Sequence, residues 1–405
     1  MTQPITFVTG RKQQTNGTPV PTPRFTQPLP LSLYVHVPWC VRKCPYCDFN
    51  SHTAPNTLPE ATFIDAVLAD LTLALPSVWG RRIETVFFGG GTPSLLSPAA
   101  IDRLLTGLRT LLPISPEAEI TLEANPGTVD AERFKAFRVA GINRLSLGIQ
   151  SFDDAALHAL GRIHDRSQAI AAIEAAARIF DTFNLDLMVG LPHQNVAAAL
   201  ADIEQALCFA PPHFSCYQLT LEPHTAFAAS PPVGLPDEDT CAEIQDRLEE
   251  RLATAGYEHY ETSAFAKPGH QCRHNLNYWT FGDYLGIGPG AHGKLTHHDG
   301  VRRTMRYKLP KIYLGAAQGG DFTQTEEQIP GHALIGEFMM NALRLNAGFT
   351  TALFERHTGL PWLMVSNDVE MAIRDGFLEW TIVGKHLRPT RQGRRFLNVL
   401  LQRFL

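Results

Sequence analysis

Between residues 31 and 221, apolar strand-like runs alternate with amphipathic helical stretches, and this alternation restricts the fold more than any other feature. Residues 33–37 (LYVHV) form a short apolar run stopped by Pro38, and residues 83–88 (IETVFF) lead into Gly89-Gly90-Gly91-Thr92-Pro93. Further strand-like runs follow at 120–123, 143–150, 185–189 and 215–221. Helical patterns lie between them, at 59–75, 98–111, 130–140, 167–180 and 196–207. Strands separated by helices predict a parallel sheet covered by helices. Six such units are fewer than the eight of a closed barrel, so the expected class is α/β, a partial (β/α)6 barrel. Functional side chains are then expected at the carboxyl ends of the strands.

The first strand end carries Cys40, Cys44 and Cys47, spaced C-x3-C-x2-C in one tight loop. Three thiolates so close together can converge on one inorganic centre, and soft sulfur donors suit an iron–sulfur cluster. A [4Fe–4S] cube has four iron corners, so three cysteines leave one iron open to another ligand. Structural zinc is the alternative, but it takes four protein ligands, and only His36 or His52 could supply the fourth locally. A disulfide framework fits less well, with three crowded cysteines out of seven. Behind this triad the other strand ends bring Gly90, Gly91 and Thr92, then Glu123 and Asn125, Gln150 and Ser151, Asp186 within its strand, and Thr220 with Glu222. Taken singly, each could equally be a turn or a helix cap.

Cys40-x3-Cys44-Pro45-Tyr46-Cys47 resembles the signature of the radical S-adenosylmethionine (SAM) superfamily, including the aromatic Tyr46 before the third cysteine. The resemblance implies a [4Fe–4S] cluster on Cys40, Cys44 and Cys47, whose open iron is chelated by SAM. It further implies that Gly90, Gly91 and Thr92 receive the methionine end of SAM. Tyr34, Tyr46 and Glu123 would contact the same ligand, with Gln150, Arg162, Asp186 and Thr220 lining the pocket. On this view a Val at Gly91 blocks SAM and spares the cluster.

The remaining chain divides at about residue 237. Residues 1–30, rich in Pro, Thr and Gln, are expected to be a flexible lead-in, and 31–236 the partial barrel. Residues 237–326 are expected to extend the sheet, with a helix at 237–255 and a strand at 257–265. In 327–405 the patterns suggest helices at 332–345, 350–357 and 362–375, a hairpin of 377–383 with 385–389, and a closing helix at 391–404. That order predicts a small winged-helix-like α+β domain.

Over residues 31–400 the motif order is similar to the HemN/HemW group, oxygen-independent coproporphyrinogen oxidase and its relatives. Phe49 stands where the oxidase has a further cysteine, and His274-Asn275-x-x-Tyr278-Trp279 resembles the HNxxYW haem signature of the haem-chaperone branch. A neutral imidazole at His274 would suit haem iron, with Tyr278 one helical turn on and Trp279 as a flat stacking surface. The plain alternative is an aromatic-rich core segment, and His292 is a second candidate ligand. The resemblance implies haem delivery to acceptor proteins, respiratory ones among them, and an electron donor for the cluster. The oxidase's decarboxylation is the runner-up activity.

A net charge of −5 argues against nucleic-acid binding as the main task, although Arg388, Arg391, Arg394, Arg395 and Arg403 gather near the end. No run reads as long and apolar enough to span a bilayer, which leaves room for peripheral membrane contact only. The first residues lack the apolar core of a signal peptide, so the cytoplasm is the expected compartment.

Overall fold

Six parallel strands pair side by side: β1 (Leu31–Val37), β2 (Ile83–Gly90), β3 (Ile114–Ala124), β4 (Arg144–Gln150), β5 (Thr182–Val189) and β6 (His213–Gln218). The structure is a computed structural model that describes residues 21–381 and 385–405. Residues 1–20 of the expected lead-in, and Ile382, Val383 and Gly384 of the expected hairpin, lie outside the described residues.

Helices α1 (Glu60–Val78), α2 (Pro98–Leu111), α3 (Ala131–Ala140), α4 (Arg166–Ile179) and α5 (Val196–Leu207) cover the outer face. Their starts are written into the sequence, because Ser97, Asp130, Asp165 and Asn195 each accept a hydrogen bond from the backbone N–H three residues on. Leu33, Val35, Phe88, Leu122, Leu145, Leu147 and Leu185 point outward into one core with these helices. Because side chains alternate along a strand, the residues between them face inward, and these are largely polar. α1 is long and apolar enough by composition to cross a membrane, contrary to the sequence reading. Its Phe63, Ile64, Val67 and Leu71 instead fill that core, and Asp70 on it is buried in a bond to Arg306.

The sheet continues on both sides. β7 (Glu258–Glu261) and β8 (Ala264–Ala266) extend it beyond β6, and β9 (Asp283–Ile287), β10 (His292–His297), β11 (Gly300–Arg306) and β12 (Thr323–Ile329) extend it beyond β1. The full order is β12-β11-β10-β9-β1-β2-β3-β4-β5-β6-β8-β7, an open twelve-stranded sheet and so a partial barrel. The single strand read at 257–265 is in fact the antiparallel pair β7 and β8. β9 pairs parallel with β1, from Leu31 opposite Asp283 to Val35 opposite Ile287. Between β8 and β9 the short helix α6 (Arg273–Trp279) crosses the amino-terminal end of the barrel.

Asp283, fully buried at the start of β9, accepts from Arg81 (2.8 Å), Lys294 Nζ (3.1 Å) and the Thr296 hydroxyl (2.7 Å). Asp283→Ala is expected to destabilise the protein by about 3–5 kcal/mol, because it strands the buried Lys294 ammonium. Denaturant titration checks this, and a loss under 1 kcal/mol would show that Lys294 escapes to solvent.

In the C-terminal module, helix Gly331–Ala342, here α7, precedes helices Thr351–Thr358 and Ser366–Arg374. A hairpin of Leu378–Trp380 with Leu387–Pro389 follows, then helices Arg391–Arg395 and Leu397–Leu401. The closing helix read at 391–404 is thus broken at Phe396, which leaves helical backbone angles. Phe338, Phe349, Phe354 and Leu387 centre a second core, joined by Phe281 and Val301 from the extension. Arg24 N donates to Gly359 O (2.9 Å) and Asp283 N to Pro30 O (2.9 Å), so the lead-in from Arg24 onward is tied to the fold. Four of the five arginines considered for nucleic acid pair instead with carboxylates: Arg388 with Glu379, Arg391 and Arg395 with Asp246, and Arg403 with Asp375.

Candidate functional site

The cysteine loop leaves β1 through the two-residue strand Trp39–Cys40, which pairs with His52–Thr53. His52 N donates to Pro38 O (2.7 Å) and Ala54 N to Cys40 O (2.8 Å), closing the loop at its base. The fully buried His36 donates from Nε2 to Asn50 O (2.9 Å), so its Nδ1 accepts from the Tyr34 hydroxyl (3.1 Å). Burial pushes His36 down to about 4. With both ring nitrogens engaged, the neutral ring braces the loop instead of offering a metal ligand. Asn50 Nδ2 in turn donates to Pro289 O and Lys308 O, both at 2.9 Å, fastening the loop to the sheet extension.

Each cysteine sulfur has a polar side chain beside it: Thr92 Oγ1 at 3.4 Å from Cys40, Arg162 Nη1 at 3.7 Å from Cys44 and Ser51 Oγ at 3.9 Å from Cys47. Such donors stabilise thiolates once a metal has displaced their protons. Burial otherwise pushes the Cys40 and Cys47 thiols up. Among the described residues no group of three His, Cys, Asp or Glu side chains is placed to hold a metal ion. The donor set and its second layer fit an iron–sulfur cluster.

The structure brings most of the expected SAM residues together beside this loop. Gly90 has φ 112°, and its N–H donates to Glu123 Oε2 (3.0 Å). Burial, with Asp186 adding, raises Glu123 to about 8. Tyr34 lies beside Gly89 and Glu123, Gln150 accepts from the Tyr217 hydroxyl (2.6 Å), and Asp186 accepts from Ser146 (3.2 Å). Arg162 is not a surface ion pair. It spans Gly148 O (2.7 Å) and Cys44, and its Nε is buried without a partner. A cleft of about 250 Å³, counting its open part, runs from Cys44 and Thr92 past Asn125 to Arg162. Tyr46 packs toward Phe227 at the loop's edge. Thr220 does not join the group, because it is exposed and donates to Glu222 (2.8 Å).

Gly91 differs from the expectation. A Cβ there would meet the Trp39 backbone at 2.5 Å, so the turn is pressed against the cysteine loop.

The barrel floor is where α6 enters. Glu119 on β3 accepts from the backbone N–H of Arg273 (3.2 Å) and His274 (3.1 Å) at the start of that helix. His274 is completely buried and packs on Phe87 with ring centroids 5.0 Å apart. Thr85 donates its proton to Ser32 (2.8 Å), so it accepts from His274 Nδ1 (2.7 Å), and His274 Nε2 then accepts from the Tyr278 hydroxyl (2.9 Å). Burial lowers His274 to about 3. The imidazole looked for at this position is therefore closed in, with no free lone pair. Trp279 lines the far side of α6, and Arg344 lies 4.3 Å over its ring. His292 stands half-buried at the start of β10, held neutral by burial near Arg303 and Lys308.

Sequence reading missed the inward-facing residues below the strand ends: Glu119, Arg144, Asn184 and His213. A signal for them exists. Glu119-x-Thr121-x-Glu123, Arg144-x-Ser146, Asn184-x-Asp186 and His213-x-Ser215-x-Tyr217 place a polar residue at every second position of otherwise apolar strands.

Comparison with known proteins agrees with this geometry. Residues 34–206 match the Radical SAM superfamily and residues 329–396 the HemN C-terminal domain. Coproporphyrinogen III oxidase (HemN) from Escherichia coli, a solved structure, superposes with a TM-score of 0.78 over 93% of this chain and 90% of its own, at 24% identity, so the two share a fold. The heme chaperone HemW of Escherichia coli (strain K12) is 46% identical over 378 residues, covering 93% of this chain and 98% of that protein. The heme chaperone HemW of Haemophilus influenzae is 47% identical over 387 residues, with coverage of 93% and 98%. Fold and cysteine loop define a radical SAM protein, for which SAM and a [4Fe–4S] cluster are the cofactors of the superfamily. Within it, the chain belongs to the HemW family.

Proposed function

We propose that this protein is a haem chaperone that binds haem and transfers it to acceptor proteins in the cytoplasm, with Cys40, Cys44 and Cys47 holding a [4Fe–4S] cluster. The observation that carries the reading is the 46% identity to a heme chaperone across 93% of the chain. When bound, the cluster supplies electrons to SAM through its open iron. This chain's residues do the holding. Thr92, Ser51 and Arg162 face the sulfurs, and Gly90, Glu123, Tyr34 and Gln150 would meet SAM beside them. The partners this reading requires are an electron donor and haem acceptors, respiratory proteins among them. Tyr278 and Trp279 are the residues proposed to meet haem, and the burial of His274 makes it a support for Tyr278.

The runner-up, oxidative decarboxylation of coproporphyrinogen, has the shared fold in its favour and Phe49 against it. Anaerobically reconstituted protein should bind haem and pass it to the apo form of a b-type haem protein, and should leave coproporphyrinogen unchanged with SAM and reductant present. Coproporphyrinogen turnover with no haem binding would falsify the chaperone reading.

A further inference from the structure

A continuous array of hydrogen bonds runs from the start of α6 to the carboxylate of Asp186. Cys272 N donates to the Tyr260 hydroxyl (3.3 Å), and Tyr260 Oη lies 2.8 Å from His213 Nε2. His213 Nδ1 lies 2.6 Å from Asn184 Oδ1, and Asn184 Nδ2 donates to Asp186 Oδ1 (2.8 Å). Tyr260, His213 and Asn184 are buried, whereas Asp186 is partly exposed.

The array has one direction. A carboxylate only accepts, so Asn184 turns its amide nitrogen to Asp186 and to Ser146 Oγ (2.8 Å), and its oxygen the other way. That oxygen takes its donors from His213 Nδ1–H and the Ser215 hydroxyl (3.1 Å). Burial, with Arg144 adding, holds His213 well below the usual imidazole range, so the ring is neutral and Nε2 keeps a lone pair. Nε2 therefore accepts from Tyr260, whose oxygen accepts from Cys272 N–H. Every donor points toward Asp186, and bonds aligned in this way strengthen one another.

Register builds the last links. Asn184 stands opposite His213 across β5 and β6, and opposite Ser146 across β4 and β5. Asp186 thus accepts from Asn184 on Oδ1 and from Ser146 on Oδ2 (3.2 Å), which fixes both oxygens and leaves each a further lone pair. Asp186 is near enough to Glu123 to help raise its carboxyl, which sets it among the residues read as the SAM pocket. Apolar side chains would fill the space of His213 and Asn184 without the cost of burying polar groups. The array is therefore better matched to aiming a carboxylate than to filling a core.

We propose that His213 is a positioning residue for SAM: its Nδ1–H fixes the Asn184 amide, which holds the Asp186 carboxylate in the orientation that accepts from the donor groups of SAM. The proposal rests on the SAM pocket read above and deepens it. His213 itself does not touch the ligand.

The test is equilibrium dialysis of radiolabelled SAM against anaerobically reconstituted full-length protein. His213→Asn puts an amide N–H in the place of Nδ1–H. His213→Gln puts its amide where Nε2 stands and leaves Asn184 Oδ1 without that donor. His213→Gln is expected to weaken SAM binding about tenfold with iron content unchanged, and His213→Asn to restore the wild-type affinity. Asp186→Ala is expected to weaken binding at least as much as His213→Gln. Adding His213→Gln to Asp186→Ala should cost nothing further, because the two act through one chain of bonds. Additive losses in the double variant, equal losses in the Asn and Gln variants, or wild-type affinity in His213→Gln would overturn the positioning role. Wild type that carries its full iron and retains no SAM would instead sink the SAM reading on which the proposal stands.

Discussion

Gly91→Val is expected to cost the protein its iron–sulfur chromophore and its SAM affinity together. The Cβ of any residue at position 91 would lie 2.5 Å from Trp39 O and 2.8 Å from Trp39 C, backbone atoms immediately before Cys40. Gly91 N also donates to Val37 O, and Thr92 N to Trp39 O, each at 2.7 Å, so the turn and the root of the loop form one hydrogen-bonded unit. Backbone cannot swing aside as a long side chain can, and the strain displaces Cys40. The loss of brown absorbance in anaerobically reconstituted protein should match that of Cys44→Ala, which removes a ligand outright. Gly89→Ala is the contrast. Its Cβ meets the side chains of Phe87 (3.0 Å), Glu123 (3.1 Å) and Tyr34 (3.1 Å), so it should weaken SAM binding and keep the iron. Full iron content in Gly91→Val would show that the turn and the cysteine loop move independently.

A steep loss of stability is expected between pH 6.5 and about 4. Burial holds His36, His164, His292 and His357 down to about 4 and His274 to about 3, with His213 also well below the usual imidazole range. For a base whose folded pKa is depressed, the unfolded chain binds the proton first. Stability is then fully present above the unfolded value and is lost as pH falls toward the folded one. Each such histidine removes about 1.4 kcal/mol per pH unit inside that window. Glu123 works the other way, since its raised value favours the folded state as pH falls from about 8. Burial also raises Asp48, Asp70, Asp202 and Asp368, which act in the same sense as Glu123, but the lowered imidazoles, His52 and His297 included, outnumber these carboxyls. The denaturant midpoint of the protein without bound ligands should therefore hold near neutrality and collapse below pH 6. A midpoint unchanged from pH 7.5 to pH 5 would mean that these rings are already protonated in the fold.

The cysteine loop, the glycine turn and the strand ends were legible because each rests on local chemistry: a spacing, a missing side chain, an apolar run with a stop. What stayed hidden depends on contacts far apart in the chain. Nothing near Asp283 says that β9 will lie along β1, since that pairing joins segments some 250 residues apart. The HNxxYW segment was legible as a motif, but its direction was not. Only the capping of α6 by Glu119, from another strand, turns His274 into the barrel. Thr220 stands differently: it is exposed, and its hydroxyl donates to Glu222 only two residues on.

The pairing of β9 with β1, and the reach of Asn50 to Pro289 and Lys308, also bear on how the protein could be divided. Segment 31–236 carries all three cysteines and the residues around SAM, yet cut out alone it would leave β1 as a bare edge. The backbone groups of its outer side, now satisfied by β9, would be open to pairing with other chains. The loop that follows it would lose both carbonyl anchors at once. The part of the sequence that bears the chemistry is thus not a part that can be transplanted. A minimal version of this protein has to keep at least the strand and turn that arrive from beyond residue 282.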